Sequence, residues 1–268
     1  MPRPQTKAPL MTKLKAGVAT VTLNRPQVHN AFDDDLIKRL TGEFAGLDRD
    51  PTVRAIVLNA EGKSFCAGAD LNWMRRMAEF DRMENLEDAM GVATLMKTIA
   101  RCTKPTVAAV HGAAYGGGVG LVAACDIAVA ARAAKFSLSE ARLGLIPATI
   151  GPYVVAAMGE RHARRYMMTT EVFDSAEARR IGLVHEVVVA RDLNKTVNHI
   201  VTQLLQSGPR ALTEVKNLVS YASGSTTDDE KTLSDTAGHL ARVRSGHEGK
   251  EGVAAFLEKR KPAWVKKR

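Results

Sequence analysis

Residues 112–121 read GAAYGGGVGL, and the consecutive glycines Gly116, Gly117 and Gly118 constrain the fold more than any other stretch. They follow a short apolar run, Thr106 to Val110, that reads as a buried strand. They precede a run of small residues that reads as a helix. A strand feeding a helix through a turn is the building block of layered α/β proteins. Lacking Cβ atoms, the turn can bring its backbone N–H groups close to another segment or to a ligand. N–H groups at a helix start also attract negative charge.

The strand–loop–helix unit recurs in kind along the chain. Gly17 to Asn24 alternates as a strand, and Asp33, Asp34 and Asp35 open an amphipathic helix to about Leu47; acidic residues favour that end. Val53 to Asn59 is a second strand, and EGKSFCAGAD (61–70) reads as a loop. Helices are predicted from Leu71 and from about Asn85 to Arg101, the latter ended by Lys104-Pro105. Asp126 to Ala130 is a fourth strand, FSLSEARLGLIPATIGP (136–152) combines loop and helix, and Leu183 to Val189 is the last strand. Residues 190–260 read as three helices. The expectation is an α/β core over residues 1–195 and a helical region over 196–268. About seventy helical residues bury little by themselves, so that region is expected to pack on the core or on a neighbouring subunit.

Net charge is +9, which invites an acidic partner. Aromatic residues make up only 5% of the chain, too few for a base-stacking platform. A phosphate-bearing small molecule is therefore expected, rather than nucleic acid. No 18-residue apolar run and no apolar signal segment occur, so no membrane association is expected. Cys66, Cys102 and Cys125 are widely spaced, without a CxxC pair, which points away from disulfides and zinc and towards a reducing cytoplasm.

Three chemistries compete for the glycine turn. Gly118 to Ala123 fits a loosened GxGxxA dinucleotide pattern, but the strand ending in an acidic residue about twenty positions on is missing. No GKS or GKT follows for a P-loop, and no GxSxG nucleophile elbow occurs. The second chemistry is stabilisation of an acyl oxyanion, which needs a second N–H donor; FCAGAD (65–70) supplies a candidate backbone with small residues. The third reading is a tight packing site without a ligand.

LNRPQVHNAF (23–32), FCAGADL (65–71), KPTVAAVHGAAYGGGVGL (104–121), ACDIAVA (124–130), FSLSEARLGLIP (136–147) and EGVAAFLEKRKPAW (251–264) together resemble the crotonase superfamily of enoyl-CoA hydratases and isomerases. The resemblance spans nearly the whole chain. It implies a spiral core of ββα units, a C-terminal helical trimerisation region, and a homotrimer or homohexamer. It implies an acyl-CoA thioester substrate with no separate cofactor, coenzyme A being part of the substrate, and no metal. The enolate oxygen would lie between the N–H groups of Ala69 and Gly117. Loss of one such donor costs roughly 100- to 1000-fold in rate. Arg25, Lys63 and Ala67 match the nucleotide-contacting region, and Phe256 and Lys259 match positions reaching a neighbouring subunit's CoA. Asp70, Leu71, Tyr115, Gly116 and Gly120 complete the implied substrate-binding set.

The chain departs from the hydratase pattern at one point. Hydratases of this superfamily hold water between two glutamates; here the second is Glu140 and the first position is Gly120. Glu140 must then do both proton transfers, or Asp70, Glu79, Glu84, Glu87 or Asp88 must help. One base alone also resembles the Δ3–Δ2-enoyl-CoA isomerases. Ala148 stands where the 4-chlorobenzoyl-CoA dehalogenases need a nucleophilic Asp, which argues against that branch, and His111 reads as a strand-end residue. AGADLNWM (67–74), LSEARLGL (138–145), PATIGPYVVAAMGERHARRY (147–166) and TTEVF (169–173) resemble bacterial methylglutaconyl-CoA hydratases of leucine breakdown, which also lack the first glutamate. Their substrate carries a distal carboxylate, for which Arg75, Arg76, Arg82, Lys97, Tyr115 and Arg142 are candidates. A catalytically weak CoA-thioester or RNA-binding member is the alternative of a different class.

Overall fold

The computed structural model describes residues 8–225 and 230–265. Two units divide the chain after Asn198, the second also taking Thr103–Pro105. In the first unit the chain begins with a hairpin, β1 (Leu10–Lys15) and β2 (Val18–Leu23), in which Lys15 faces Val18. The two-residue turn places Ala16 and Gly17 at φ 50° and 82°, as the right-handed twist of a tight hairpin demands. Only β2 is foreshadowed by sequence. β1 is largely solvent-facing and carries little apolar signal.

The remaining strands of the large sheet run parallel to β2: β3 (Ala55–Ala60), β4 (Thr106–Val110), β6 (Ile127–Ala131) and β9 (Glu186–Val188). Their order is β1-β2-β3-β4-β6-β9. The continuous burial of β4 follows from its position inside a parallel sheet covered on both faces. A small sheet pairs β5 (Ala113–Tyr115) with β7 (Lys135–Ser137) and β8 (Phe173–Asp174). Helices α1 (Asp34–Arg49), α2 (Leu71–Met77), α3 (Arg82–Ala100), α4 (Gly117–Ala124), α5 (Gly151–Thr169) and α6 (Ser175–Arg180) complete the unit. Leu36, Leu40 and Phe44 of α1 are buried with Leu95, Met96 and Ile99 of α3 and with Val21, Ile56 and Leu58 of the sheet.

Each turn of the chain places one strand in the large sheet, one short extended piece in the small layer, and then a helix. Phe32 and Cys66-to-Ala69 take the extended role in the first two turns, where single bridges join Phe32 to Ala69 and Cys66 to Ala114. The segment 61–70, expected as a loop, is thus partly strand-like. Other boundaries also differ. Asp81 and Glu84 form a capping box, so α3 starts earlier than Asn85. Leu183 and Val184 are buried and donate to Ala178 O, closing α6, so the last strand shortens to β9.

In the second unit the chain is helical: the end of α7 (Leu193–Gln206), α8 (Pro209–Ala222), α9 (Glu230–Ser245) and α10 (His247–Leu257). Among the described residues, 190–260 thus carry four α-helices and not three. Glu248 caps α8, accepting from the N–H groups of Arg210 at 3.0 Å and Ala211 at 2.7 Å. Trp264 donates to Gln206 O at 3.0 Å. No helix among the described residues is long and apolar enough to cross a membrane.

The crossing from β4 in one sheet to β5 in the other turns on Gly112, at φ 63°. A Cβ there would lie 2.0 Å from Lys63 O. Gly112→Ala is expected to cost about 2–3 kcal/mol, read as a lower urea midpoint with an unchanged denaturant slope.

Candidate functional site

The site grows from three extended pieces side by side. On one flank, Phe32 N–H donates to Gly68 O at 2.6 Å, and Asp70 N–H donates to Phe32 O at 2.7 Å. On the other, Cys66 N–H donates to Ala113 O at 3.0 Å, and Tyr115 N–H donates to Cys66 O at 2.9 Å. Ala67 N–H reaches His29 O at 3.0 Å. Because the Asp70 N–H points towards Phe32, the Ala69 N–H points the opposite way, as successive residues of an extended chain must. Among the described residues it has no hydrogen-bond acceptor.

Glycine lets the two loops meet. Gly68 has φ 90°, and a Cβ on it would sit 3.1 Å from Tyr115 O and 3.9 Å from the Gly116 Cα. Gly116 has φ 49° and donates its N–H to Ser137 O at 2.9 Å. Gly117 then opens α4, and its N–H likewise lacks an acceptor among the described residues. First-turn N–H groups of a helix have no intrahelical partner and carry its positive end. A Cβ on Gly117 would fall 2.5 Å from the Phe32 ring, so Phe32 seats the turn.

Glu140 opens a single 3-10 turn, Glu140–Leu143, just beyond β7. Its Oε1 lies 3.0 Å from where a Gly116 Cβ would be, which places the carboxylate against the glycine turn. Its Oε2 is buried and has no hydrogen-bond partner among the described residues. Burial raises its pKa above the usual 4.5, and a backbone hydrogen bond offsets part of that rise. Thr170, at φ 55°, braces the same turn, accepting from Arg142 Nε at 2.5 Å and, through its carbonyl, from Ser137 Oγ at 3.1 Å. Two unpaired N–H donors and a half-buried carboxyl can hold an oxygen that gains negative charge while a proton moves nearby.

The other candidates fall in different places. Asp70 is buried and caps α2, and Leu71, the first residue of that helix, is 70% exposed. Tyr115 is half-buried at the end of β5, and Lys63 is exposed. Gly120 is buried inside α4: a Cβ there would lie 2.3 Å from Ile150 Cγ2 and 3.3 Å from Met96 Sδ. Its side-chain direction therefore meets packed hydrocarbon. Arg25 is turned inward, bound to Asp33 at 2.7 Å and Asp70 at 3.2 Å, so its guanidinium does not face an outside phosphate. His111 Nε2 donates to Gly62 O at 3.0 Å. Glu84, Glu87 and Asp88 line a groove of about 770 Å³ with Asp34, Lys38 and Met90, apart from Glu140. Asp88 there accepts from Trp73 Nε1 at 3.0 Å. The Cys66 thiol, beneath the loop, is pushed up to about 12 by burial and is no nucleophile. In the second unit Phe256 is 82% exposed near the end of α10, and Lys259 follows at φ 56°. Residues 266–268 of the basic tail lie outside the described residues. Among the described residues no three His, Cys, Asp or Glu side chains are placed to share a metal ion. Phe32, Ile150 and Thr170 were not singled out from sequence, because each acts through shape or backbone rather than chemistry.

This layered spiral brings two backbone N–H groups without an acceptor among the described residues, and one carboxyl, to the same glycine turn. Residues 13–267 match the enoyl-CoA hydratase/isomerase family. The crystal structure of an enoyl-CoA hydratase from Shewanella pealeana superposes with a TM-score of 0.93 at 43% identity, over 96% of each chain. A crotonyl-CoA hydratase of Syntrophomonas wolfei is 32% identical over 252 residues, 93% of this chain and 95% of its own. A 1,2-epoxyphenylacetyl-CoA isomerase of Escherichia coli is 31% identical over 263 residues, 96% of this chain and 98% of its own. The chain belongs to the enoyl-CoA hydratase/isomerase family, within the crotonase superfamily.

Burial of Glu140 has a stability consequence. In the folded state it binds its proton more tightly than in the unfolded chain, so stability falls as pH rises from about 4.5 through the raised value. Glu140→Gln removes that penalty. The variant is expected to melt above the wild type at neutral pH, with the difference fading below pH 4.5; thermal scans across pH check it.

Proposed function

We propose that the chain is an enoyl-CoA hydratase acting on 3-methylglutaconyl-CoA or a related 3-branched enoyl-CoA. The observation that carries this reading is the buried, unpaired Glu140 Oε2 beside a turn whose Gly117 N–H, like that of Ala69, lacks an acceptor among the described residues. The thioester oxygen sits between those two donors. Glu140 takes a proton from water as the water oxygen bonds to C3. The C2–C3 π pair moves onto the thioester oxygen as an enolate, which the two N–H groups stabilise. The pair then returns to C2, which takes the same proton from Glu140, so one carboxyl completes the addition of water. A carboxyl whose pKa burial raises is better suited to serve both as acceptor and as donor.

The 3-methylglutaconyl assignment is supported by the subgroup resemblance and by the cations near Glu140. Arg142 is two residues from Glu140 on the same turn, oriented by Thr170. Arg76 is paired with Asp34 and Arg75 with Asn72, which leaves Arg142 the better-placed partner for a distal carboxylate. The reading includes a homotrimer or homohexamer, supported by exposed Leu233, Leu240, Val253, Phe256 and Leu257 on α9 and α10. It also includes a reducing cytoplasm, in keeping with three buried cysteines that form no disulfide.

A second reading, Δ3–Δ2-enoyl-CoA isomerase, is favoured by Ile150 and Met96, which fill the space beside Gly120 and leave one carboxyl at the turn. An assay panel of crotonyl-CoA, 3-methylglutaconyl-CoA and a 3-enoyl-CoA separates the two. Hydration of 3-methylglutaconyl-CoA with the highest kcat/KM is expected; turnover of the 3-enoyl substrate alone overturns the hydratase reading. Glu140→Gln is expected to lose roughly 100- to 10,000-fold in turnover with thioester binding kept.

A further inference from the structure

We propose that Arg25 is a positioning residue, which bridges the N-caps of α1 and α2 and thereby fixes the direction of the Ala69 N–H. This rests on the reading of Ala69 as one oxyanion donor. The Arg25 side chain is only 16% exposed, and that of Asp70 only 8%. Arg25 Nη2 lies 2.7 Å from Asp33 Oδ2 and 3.2 Å from Asp70 Oδ2, and Nη1 donates to Ala31 O at 2.7 Å. Each aspartate gives its other oxygen to a helix start. Asp33 Oδ1 accepts from Leu36 N–H at 2.8 Å, and Asp70 Oδ1 accepts from Asn72 N–H at 2.8 Å. One guanidinium therefore joins equivalent points of two successive turns of the spiral.

The join falls at the site. Phe32 directly precedes Asp33, and Ala69 directly precedes Asp70. Phe32 holds both Gly68 O and the Asp70 N–H, the two peptide groups flanking Ala69. With both caps tied to Arg25, that rung cannot rotate without breaking the fork. Remove the cation, and two carboxylates are left close together in a poorly solvated place, where like charges repel. A planar fork with several donors meets three acceptors at once, which an ammonium does less well. One cation between two carboxylates leaves the cluster net negative, so it repels a phosphate and is ill-suited to hold the CoA nucleotide.

The test uses the full chain, crotonyl-CoA for turnover, and acetoacetyl-CoA, whose bound enolate has its own ultraviolet absorbance. The variants are Arg25→Lys and Asp70→Asn, since Asn still caps a helix. Arg39→Gln, on the exposed Arg39–Asp35 pair of α1, is the control. Arg25→Lys and Asp70→Asn are expected to lower kcat roughly 10- to 100-fold, as small misplacements do. Enolate absorbance should fall in parallel, KM should stay within about threefold, and the control should not change. Wild-type kcat and enolate signal in both variants overturn the proposal, as does a rise in KM alone, which would make Arg25 a ligand contact. Loss of folded protein in both variants also overturns it, because the bridge would then be structural only. A wild type that neither turns over enoyl-CoA nor forms the enolate fails the hydratase reading itself; an active wild type with unaffected variants fails this inference alone.

Discussion

Everything at the site depends on how closely two backbones approach, at Gly68 and Gly116. A Cβ on either would come within 3.9 Å of the other's Cα, and one on Gly116 would also crowd the Glu140 carboxylate at 3.0 Å. Both residues lie at positive φ, so a side chain is excluded by conformation as well as by space. Given that approach, the chain has few other ways to run. Segment 66–70 must pair with Phe32 on one flank and β5 on the other, and pairing consumes most of its N–H groups. The Ala69 N–H is left over by alternation, and the Gly117 N–H by being first in a helix. On the proposed mechanism, the anion hole is what remains when the rest of the backbone is satisfied.

The same geometry explains why Glu140 is held without a partner. A buried polar atom normally finds a hydrogen bond, because losing water uncompensated costs about 1–3 kcal/mol. Glu140 Oε2 is an exception, alongside Asn59 Oδ1, among the described residues. The Glu140 carboxylate lies against the glycine turn at Gly116. Burial favours the neutral acid, which raises the pKa and makes the carboxyl a better proton acceptor when it is ionised. A fold optimised only for stability would place a methylene or an amide there. Retention of a penalised carboxyl is the strongest physical sign that the position does chemistry.

The strands of the large sheet after the hairpin were legible in the sequence, because continuous apolar runs such as Thr106–Val110 have no other place to go. The glycine turn and FCAGAD were legible as backbone-approach sites because clustered glycine and alanine leave the backbone uncovered. What was illegible depends on distant partners. β1 is too exposed to carry a pattern, and the single bridges of Phe32 and Cys66 arise from neighbours more than thirty residues away. Arg25 illustrates the limit best. Its neighbours in the sequence match a nucleotide-contacting motif, yet its charge is taken up by Asp33 and Asp70, and only the folded chain brings Asp70 to it. Helix starts are legible where one side chain announces them, as Asp33 does, and less so where the cap is a reciprocal pair such as Asp81 and Glu84.

Gly120 carries the last step. As a sequence letter it marks a missing carboxylate, and the natural inference is an open space that water or a helper acid would fill. The space is closed: Ile150 and Met96 stand where a side chain would begin. A glutamate at this position would therefore need Ile150 to retreat, so the chain is committed by packing, and not by one residue, to a single carboxyl at the turn. Three of the acids considered as helpers are engaged elsewhere. Asp70 is tied to Arg25, and Glu84 and Asp88 are tied to α3 capping and to Trp73. On the proposed mechanism both proton transfers converge on Glu140, and the water must approach C3 from the side of that one carboxyl. Hydroxyl and proton would then be delivered to the same face of the double bond, a syn addition imposed by Ile150 as much as by Glu140.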